Sequence, residues 1–283
     1  MEYRTLENTS LEQIHKTFIE AFSDYEVDMN LPIDVFEGLL RRRGYDASVS
    51  LGAFIDEKLV GFLLCGFRNW NGKKYAYDTG IAIIGEYRNK GITTEMFEKN
   101  MELLKAKKAS GYILEVLKGN DSAIHVYQKQ GFKVAREFDC FGLKNCDLAS
   151  NGSVEIIYLD NIDDNRWKEF EKFWDFKPSW QNSIDSVNID KEMFEYVAAV
   201  IENKVVGYGI MDAKSGDILQ LAVDKEFRRR GIAKEILAEL LKKSEPNTLK
   251  ISNVESTCES MKKFLEKVGF ELTVSQYEME FKI

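Results

Sequence analysis

With 283 residues, 44% of them hydrophobic and 30% charged, the chain has the makeup of a soluble globular protein and room for two domains of ordinary size. A net charge of −8 argues against a dedicated nucleic-acid binder, which carries a basic excess, and suits a cationic acceptor. No apolar run approaches the roughly 18 residues of a membrane span, and the N-terminal MEYRTLENTSLEQ lacks the apolar core of a signal peptide, so no membrane association and a cytoplasmic location are expected.

The four cysteines, Cys65, Cys140, Cys146 and Cys258, form no C-x-x-C pair, and reduced thiols are expected. His15 and His125 are the only histidines, so neither a zinc site nor a histidine triad is expected.

In chain order, Thr9 or Ser10 is placed to cap a first helix with Ile14, Phe18, Ile19 and Phe22 as its apolar stripe. A second helical segment runs from Leu31-Pro32 through Phe36, Leu39 and Leu40 to Arg41, Arg42, Arg43 and Gly44. Three strands follow, turned at Asp56-Glu57-Lys58 and at the hairpin signal Asn71-Gly72. Then come a loop and helix over Arg88–Lys107, a mostly apolar strand Gly111–Leu117, and a helix from about Ser122 to Gln130 that stops at Gly131. The stretch Phe132–Leu143 reads as a strand pair, and the small polar run Asn145–Ser153 as a domain boundary. The order then repeats. Helical patterns lie around Arg166–Phe173 and Lys191–Tyr196, and strands at Glu195–Ile201, Lys204–Ala213 and Ile218–Val223. A second charged loop leads into a helix with Ile232, Ile236, Leu237, Leu240 and Leu241 on one face. The strand Thr248–Val254, the helix Ser256–Lys267, Gly269-Phe270 and a β segment to Ile283 close the copy.

The two charged loops are the most informative feature. In the first, Arg88, Asn89, Lys90, Gly91, Ile92 and Thr93 stand where Arg228, Arg229, Arg230, Gly231, Ile232 and Ala233 stand in the second, about 140 residues later. A strand, a cationic turn with glycine and a helix start place free backbone N–H groups at the positive end of a helix dipole, which favours a phosphate. After the first loop the segment LEVLKGNDSAIHVYQKQGF sets Glu115, Asn120, Ala123, Tyr127, Gly131 and Phe132 at fixed spacings.

Arg-x-x-Gly-x-Ala after a strand, followed by that Glu–Asn–Ala–Tyr–Gly-Phe block, resembles the GNAT acetyltransferase superfamily. The resemblance covers nearly all of both halves and is weakest over Trp167–Trp180. It implies an α/β (α+β) chain of two tandem GNAT-like acyl-CoA N-acyltransferase domains, 1–148 and 149–283, each a mixed, mostly antiparallel sheet flanked by helices. It implies acetyl-CoA as the acyl donor and an amine on a small molecule or peptide as the acceptor.

Acetyl transfer to an amine needs a base for the amine, an acid for the departing thiolate and an anchor for the pyrophosphate. Tyr127 can donate a proton, and Glu115, a carboxylate in an apolar strand, can accept one. The bland alternatives are a packed tyrosine and a salt-bridged strand glutamate. Asn120 can cap the next helix, and the resemblance adds a pantetheine contact. By the same resemblance Ile81, Ala82 and Ile83 pair with the pantetheine amides. The segment from Asn89 through Lys90, Gly91, Ile92 and Thr93 to Thr94, with Arg88, cradles the pyrophosphate. Thr93 stands where the family prefers Gly or Ala. In the second half Leu221, Val223, Arg228, Arg229, Arg230, Gly231, Ile232 and Ala233 form the corresponding cradle. There, however, Leu265, Cys258 and Met261 stand at the Tyr, Asn and Ala positions, and Leu265 has no proton to give. The first domain is therefore expected to be catalytic and the second to bind cofactor or act as scaffold. Catalysis in the second domain, or a CoA-responsive module without turnover, stay open. The acidic stretch Asp24–Asp28 suits a cationic acceptor.

Overall fold

The computed structural model describes residues 1–24, 29–143, 148 and 152–283. The acidic stretch beyond Asp24, Cys146 and most of the expected boundary at Asn145–Ser153 lie outside the described residues. The chain forms two compact units.

In the first unit, strand β1 (Glu2–Thr5) leads to helix α1 (Leu11–Ala21), capped by Ser10, whose hydroxyl accepts from the Gln13 N–H. Helix α2 (Ile33–Arg42) follows. Ile14 and Phe18 of α1 and Phe36 and Leu40 of α2 are buried with Phe62 and Leu64, as the apolar spacing predicts. Strands β2 (Leu51–Ile55), β3 (Lys58–Trp70) and β4 (Lys73–Ile83) pair antiparallel, β1 pairs with β2, and β5 (Gly111–Leu117) lies parallel to β4. Helix α3 (Ile92–Ala106) joins β4 to β5, and α4 (Asp121–Lys129) follows β5. The chain leaving α2 rests directly on β3, because Gly66 has no side chain. A Cβ there would meet the Arg43 carbonyl oxygen at 2.2 Å.

The second unit holds most of strands β6 (Lys133–Leu143) and β12 (Glu271–Lys282), and β7 (Glu155–Leu159), β8 (Phe194–Ile201), β9 (Lys204–Asp212), β10 (Asp217–Val223) and β11 (Leu249–Glu255). Their order is β12-β6-β11-β10-β9-β8-β7, with β10 and β11 parallel and the pairs β6/β11, β9/β10, β8/β9 and β7/β8 antiparallel. Its helices are α5 (Asp164–Phe170), α6 (Ile184–Ile189), α7 (Ile232–Lys243) and α8 (Glu259–Lys267). Ile232, Ile236, Leu237 and Leu240 of α7 are buried against the strands. A second, aromatic core gathers Trp167, Phe170, Phe173 and Tyr208, with the Phe170 and Tyr208 rings stacked at 3.9 Å.

Two local expectations change. Phe132–Leu143 is one long strand, not two, since nothing inside it supplies a turn. Lys191–Tyr196 is a short 3-10 turn, Lys191–Met193, entering β8, because Phe194, Tyr196 and their neighbours find ladder partners on β9. The preceding helix α6, unremarked in the sequence, begins at Ser183, whose hydroxyl accepts from the Ser186 N–H. The two units interleave along the chain. The first comprises Met1–Val116, Asp121–Ala135 and Glu278–Ile283, and the second Leu117–Asn120 and Arg136–Tyr277. The chain's last residues thus finish the first unit. Met279 is fully buried, the Tyr75 hydroxyl donates to Glu280 at 2.8 Å, and Phe281 packs on Phe132 with ring centroids 5.6 Å apart.

Met279→Ala should therefore lower stability by about 2–5 kcal/mol, the usual cost of emptying a buried methionine site. Urea unfolding measures it. A loss within about 0.5 kcal/mol, typical of a surface change, would mean that Glu278–Ile283 is not part of that unit's core.

Candidate active site

The site in each unit begins where two parallel strands part. Strand β4 pairs with β5 only at Tyr75↔Gly111, Ala76↔Tyr112 and Tyr77↔Ile113, although β4 continues to Ile83 and β5 to Leu117. Strand β10 pairs with β11 only at Asp217↔Lys250 and Ile218↔Ile251. Each parting coincides with a bulge. The β3–β4 register skips Thr79, and the β9–β10 register skips Leu219. An extra residue bends the strand away from its neighbour. It leaves one edge of Ile81–Ile83, and of Leu221–Val223, facing the gap.

Beyond each gap the cationic loops fold alike. Asn89 and Gly91 have φ of 62° and 78°, and Arg229 and Gly231 have 62° and 83°. An added Cβ at Gly91 would meet nothing within 4 Å, so the left-handed backbone, not crowding, asks for glycine. This winding turns successive N–H groups inward ahead of α3 and α7, the geometry of an anion nest. Asn89, Lys90, Gly91 and Thr94 are exposed, as are Arg229, Arg230 and Gly231, whereas Ile92 and Ile232 are buried and anchor the helix starts. Thr93 and Ala233 are half-buried.

Arg88 and Arg228 hold the loops in place. Arg88 donates from Nε to the Ile83 carbonyl at 3.0 Å, from Nη2 to the Ala21 carbonyl at 2.8 Å, and to the Asp24 carboxylate at 2.7 Å. Arg228 repeats the pattern with the Val223 carbonyl at 3.0 Å, the Phe173 carbonyl at 2.9 Å and Asp175 at 2.9 Å. The Arg88 guanidinium holds the Asp24 carboxyl below its ordinary value. The charges left to face a phosphate are chiefly Lys90, Arg229 and Arg230. Lys90 and Arg230 also reach back to the Glu86 and Glu226 carbonyls.

The predicted acid and base flank β5. Tyr112 of β5 stacks on Phe97 of α3 and meets Phe132 edge-on, and Phe132 in turn meets Tyr127 of α4 at 5.8 Å. Tyr127 thus lies on the α3 side. Strand alternation puts Glu115 on the opposite face from Tyr112. Glu115 is partly buried, and its charge adds to the burial that pushes the Tyr77 phenol well above its ordinary value. Asn120 stands just before α4, its N–H donating to the Leu117 carbonyl at 3.0 Å.

One participant was not singled out from the sequence. The Tyr127 hydroxyl donates to Oδ2 of Asp78 at 3.1 Å. Asp78 sits on β4 immediately before the bulge. Burial raises its pKa from 3.8 to about 6, against the opposing pull of the Tyr127 hydrogen bond and the Arg43 charge. Arg43 itself donates to the carbonyl of the bulged Thr79 at 3.0 Å. A lone carboxylate in the strand KKYAYDTGIAI was the available signal.

The second unit keeps the frame and loses these groups. Ile218, fully buried, precedes its bulge where Asp78 precedes the other. Asn253 lies as far before Gly269-Phe270 as Glu115 lies before Gly131-Phe132. It donates to the Ser179 hydroxyl at 2.8 Å. Leu265, in place of Tyr127, is wholly in the core, and Cys258, in place of Asn120, is buried. The parted strands here border a cavity of about 600 Å³. It runs from Arg229, Gly231 and Ile232 past Leu221–Val223 and Ile251–Val254 to Asn182, Tyr208 and Gln220. This volume lies within the range of about 300–1,000 Å³ usual for small-molecule sites. Among the described residues no cluster of three or more potential metal ligands occurs, and no helix is long and apolar enough to cross a membrane.

Known proteins agree with this frame. The Acetyltransferase (GNAT) family profile matches residues 11–132, and an Acetyltransferase (GNAT) domain profile matches 158–281. Streptothricin acetyltransferase A of Bacillus subtilis is 41% identical over 64 residues, 23% of this chain and 36% of that protein. N-alpha-acetyltransferase 30 of Schizosaccharomyces pombe is 27% identical over 84 residues, 29% of this chain and 56% of that protein. The aligned stretches thus span about a third and about half of these relatives' own lengths. A tandem GNAT protein from the clavulanic acid biosynthesis pathway superposes with a TM-score of 0.75 at 12% identity, covering 99% of this chain and 98% of that one. A putative acetyltransferase from Pyrococcus horikoshii does so at 0.72 and 18%, covering 100% and 89%. At such identities the structures share the fold. With a matching profile on each half of its length, the chain belongs to the GNAT acetyltransferase family as a tandem duplication of the domain.

Proposed function

We propose that the chain is a cytoplasmic N-acetyltransferase that moves an acetyl group from acetyl-CoA to a primary amine, with turnover in the N-terminal domain and cofactor binding without turnover in the C-terminal one. The observation that carries this reading is the contrast at three matched positions. Asp78, Glu115 and Tyr127 in the first unit stand against Ile218, Asn253 and Leu265 in the second. Small-molecule and peptide amines both suit the acceptor role. One curated relative is named for streptothricin and the other for an N-alpha-amine.

Acetyl-CoA, when bound, supplies an acyl thioester. The N–H groups from Asn89 to Thr94 would hold its pyrophosphate, with Lys90 adding charge, and the open edge of Ile81–Ile83 would hold its pantetheine amides. Asn120 would steady the same arm. Tyr127 holds its proton on the α3 side and is the general acid for the sulfur. Glu115, on the other face of β5, is the general base for the amine, directly or through water. Acid and base on opposite faces suit a direct transfer through the gap between β4 and β5. Asp78 is a positioning residue: its carboxylate holds the Tyr127 hydroxyl in place until that single proton turns to the departing sulfur.

Tyr127→Phe should lower kcat on the order of 10²-fold, as should Glu115→Gln, with smaller changes in acetyl-CoA affinity. Steady-state kinetics with calorimetry separates the two quantities. Unchanged kcat in both would move catalysis elsewhere. Gly91→Glu puts a negative side chain into the nest and should abolish turnover. If Gly231→Glu abolishes it instead, the C-terminal domain is the working one.

Asp78 adds a pH signature. Its ionised carboxylate is a stronger acceptor for the Tyr127 hydroxyl than the neutral acid. Activity should therefore fall below about pH 6, and Asp78→Asn should remove that limb from the kcat/KM profile. The stability effect has the opposite sign. A carboxyl whose folded value is raised stabilises the native state below its ordinary 3.8, and that contribution is lost as pH rises through about 6. Stability of Asp78→Asn relative to the parent should therefore grow from pH 4 to pH 7 in urea titrations.

A further inference from the structure

The inner end of the second-unit cavity is bonded within itself. There the Trp174 indole donates to the Tyr208 hydroxyl at 2.6 Å, and that hydroxyl donates to Gln220 Oε1 at 2.7 Å. Gln220 Nε2 donates to the Asn182 carbonyl at 2.7 Å, and Asn182 Nδ2 to the Ser252 carbonyl at 3.0 Å. The indole and the phenol each have one proton, and both are spent inside the wall. What the wall turns toward a ligand is therefore chiefly the half-buried Trp174, backed by the buried side chains of Phe173, Tyr208 and Leu219.

The segment carrying Trp174 is tied down on both sides of the gap. Asp175 accepts from Arg228, on the loop before α7, and from the Ser260 hydroxyl on α8 at 3.1 Å. The apolar end is thus a fixed wall. The second unit also has no ionisable group at the three positions where the first carries Asp78, Glu115 and Tyr127; of these, Asn253 lines the cavity.

We propose that this cavity is a binding-only site for an acyl-CoA whose acyl group is an apolar chain longer than acetyl, held against Trp174, Tyr208 and Leu219. The proposal rests on reading the C-terminal domain as a CoA binder, with the Arg229–Ala233 nest at the phosphate end. Each methylene that leaves water for an apolar wall tightens binding roughly fourfold. A butyryl group, two methylenes longer than acetyl, should gain on the order of tenfold.

The test titrates CoA, acetyl-CoA and butyryl-CoA into Gly91→Glu, where the first nest is blocked. One equivalent should bind, butyryl-CoA roughly tenfold tighter than acetyl-CoA, with no CoA released on adding amines. Equal affinity for acetyl- and butyryl-CoA would overturn the acyl preference and leave the CoA reading standing. Release of CoA would overturn the binding-only role. Binding of none of the three would overturn the CoA reading and the proposal with it. In the parent chain, which needs no substitution, amide exchange over residues 173–178 should slow more with butyryl-CoA than with acetyl-CoA. Equal slowing, or none, counts against the proposal.

Discussion

Everything at the two sites depends on parallel strands that pair briefly and then part. A sheet normally satisfies each backbone N–H and C=O along its ladder. Here β4 and β5, and likewise β10 and β11, leave that ladder after two or three pairs. The bulges at Thr79 and Leu219 do the bending. They leave backbone donors and acceptors facing a gap, which is an edge that a ligand with amide groups can join. The helix that follows each strand then brings its N-terminus to the same opening.

Holding such a gap open takes support from outside it. Arg88 and Arg228 provide this, each tying the end of its strand, its loop and a segment well upstream in the chain through two carbonyls and one carboxylate. A guanidinium suits the task because its planar fork serves several acceptors at once and stays charged. The repeated set of partners shows that the duplicated frame has been retained. The ionisable groups within it have not. Placing Asp78 in a half-buried strand position keeps a carboxyl poised near pH 6, at a desolvation cost. The second unit avoids that cost with Ile218 and fills its inner wall with a neutral, internally bonded ladder.

The proposed acid and base are separated by the simplest property of a strand, its alternation. Tyr112 and Glu115 point to opposite faces of β5, and Tyr127 reaches Asp78 on the Tyr112 side. The nearness of Tyr127 to a carboxylate whose pKa is raised is the feature by which the first unit differs chemically from its copy.

Local chemistry was enough to read much of this from the sequence. The glycine-containing cationic loops at Gly91 and Gly231, the helix faces of α1 and α7 and the hairpin at Asn71-Gly72 are set by residues close together in the chain. Their signals are therefore short-range. The tandem repeat and the place of Tyr127 before Gly131-Phe132 were legible for the same reason. Tertiary structure alone decided what joins distant residues. It brought Asp78 to Tyr127, spent Arg88 and Arg228 on loop support, and turned Lys191–Tyr196 into the entry of a strand. It also placed Glu278–Ile283 in the first unit, because Met279 and Phe281 find their apolar partners there. Spacing along a chain cannot report such pairings, since burial and cross-strand partners, not local propensity, select them.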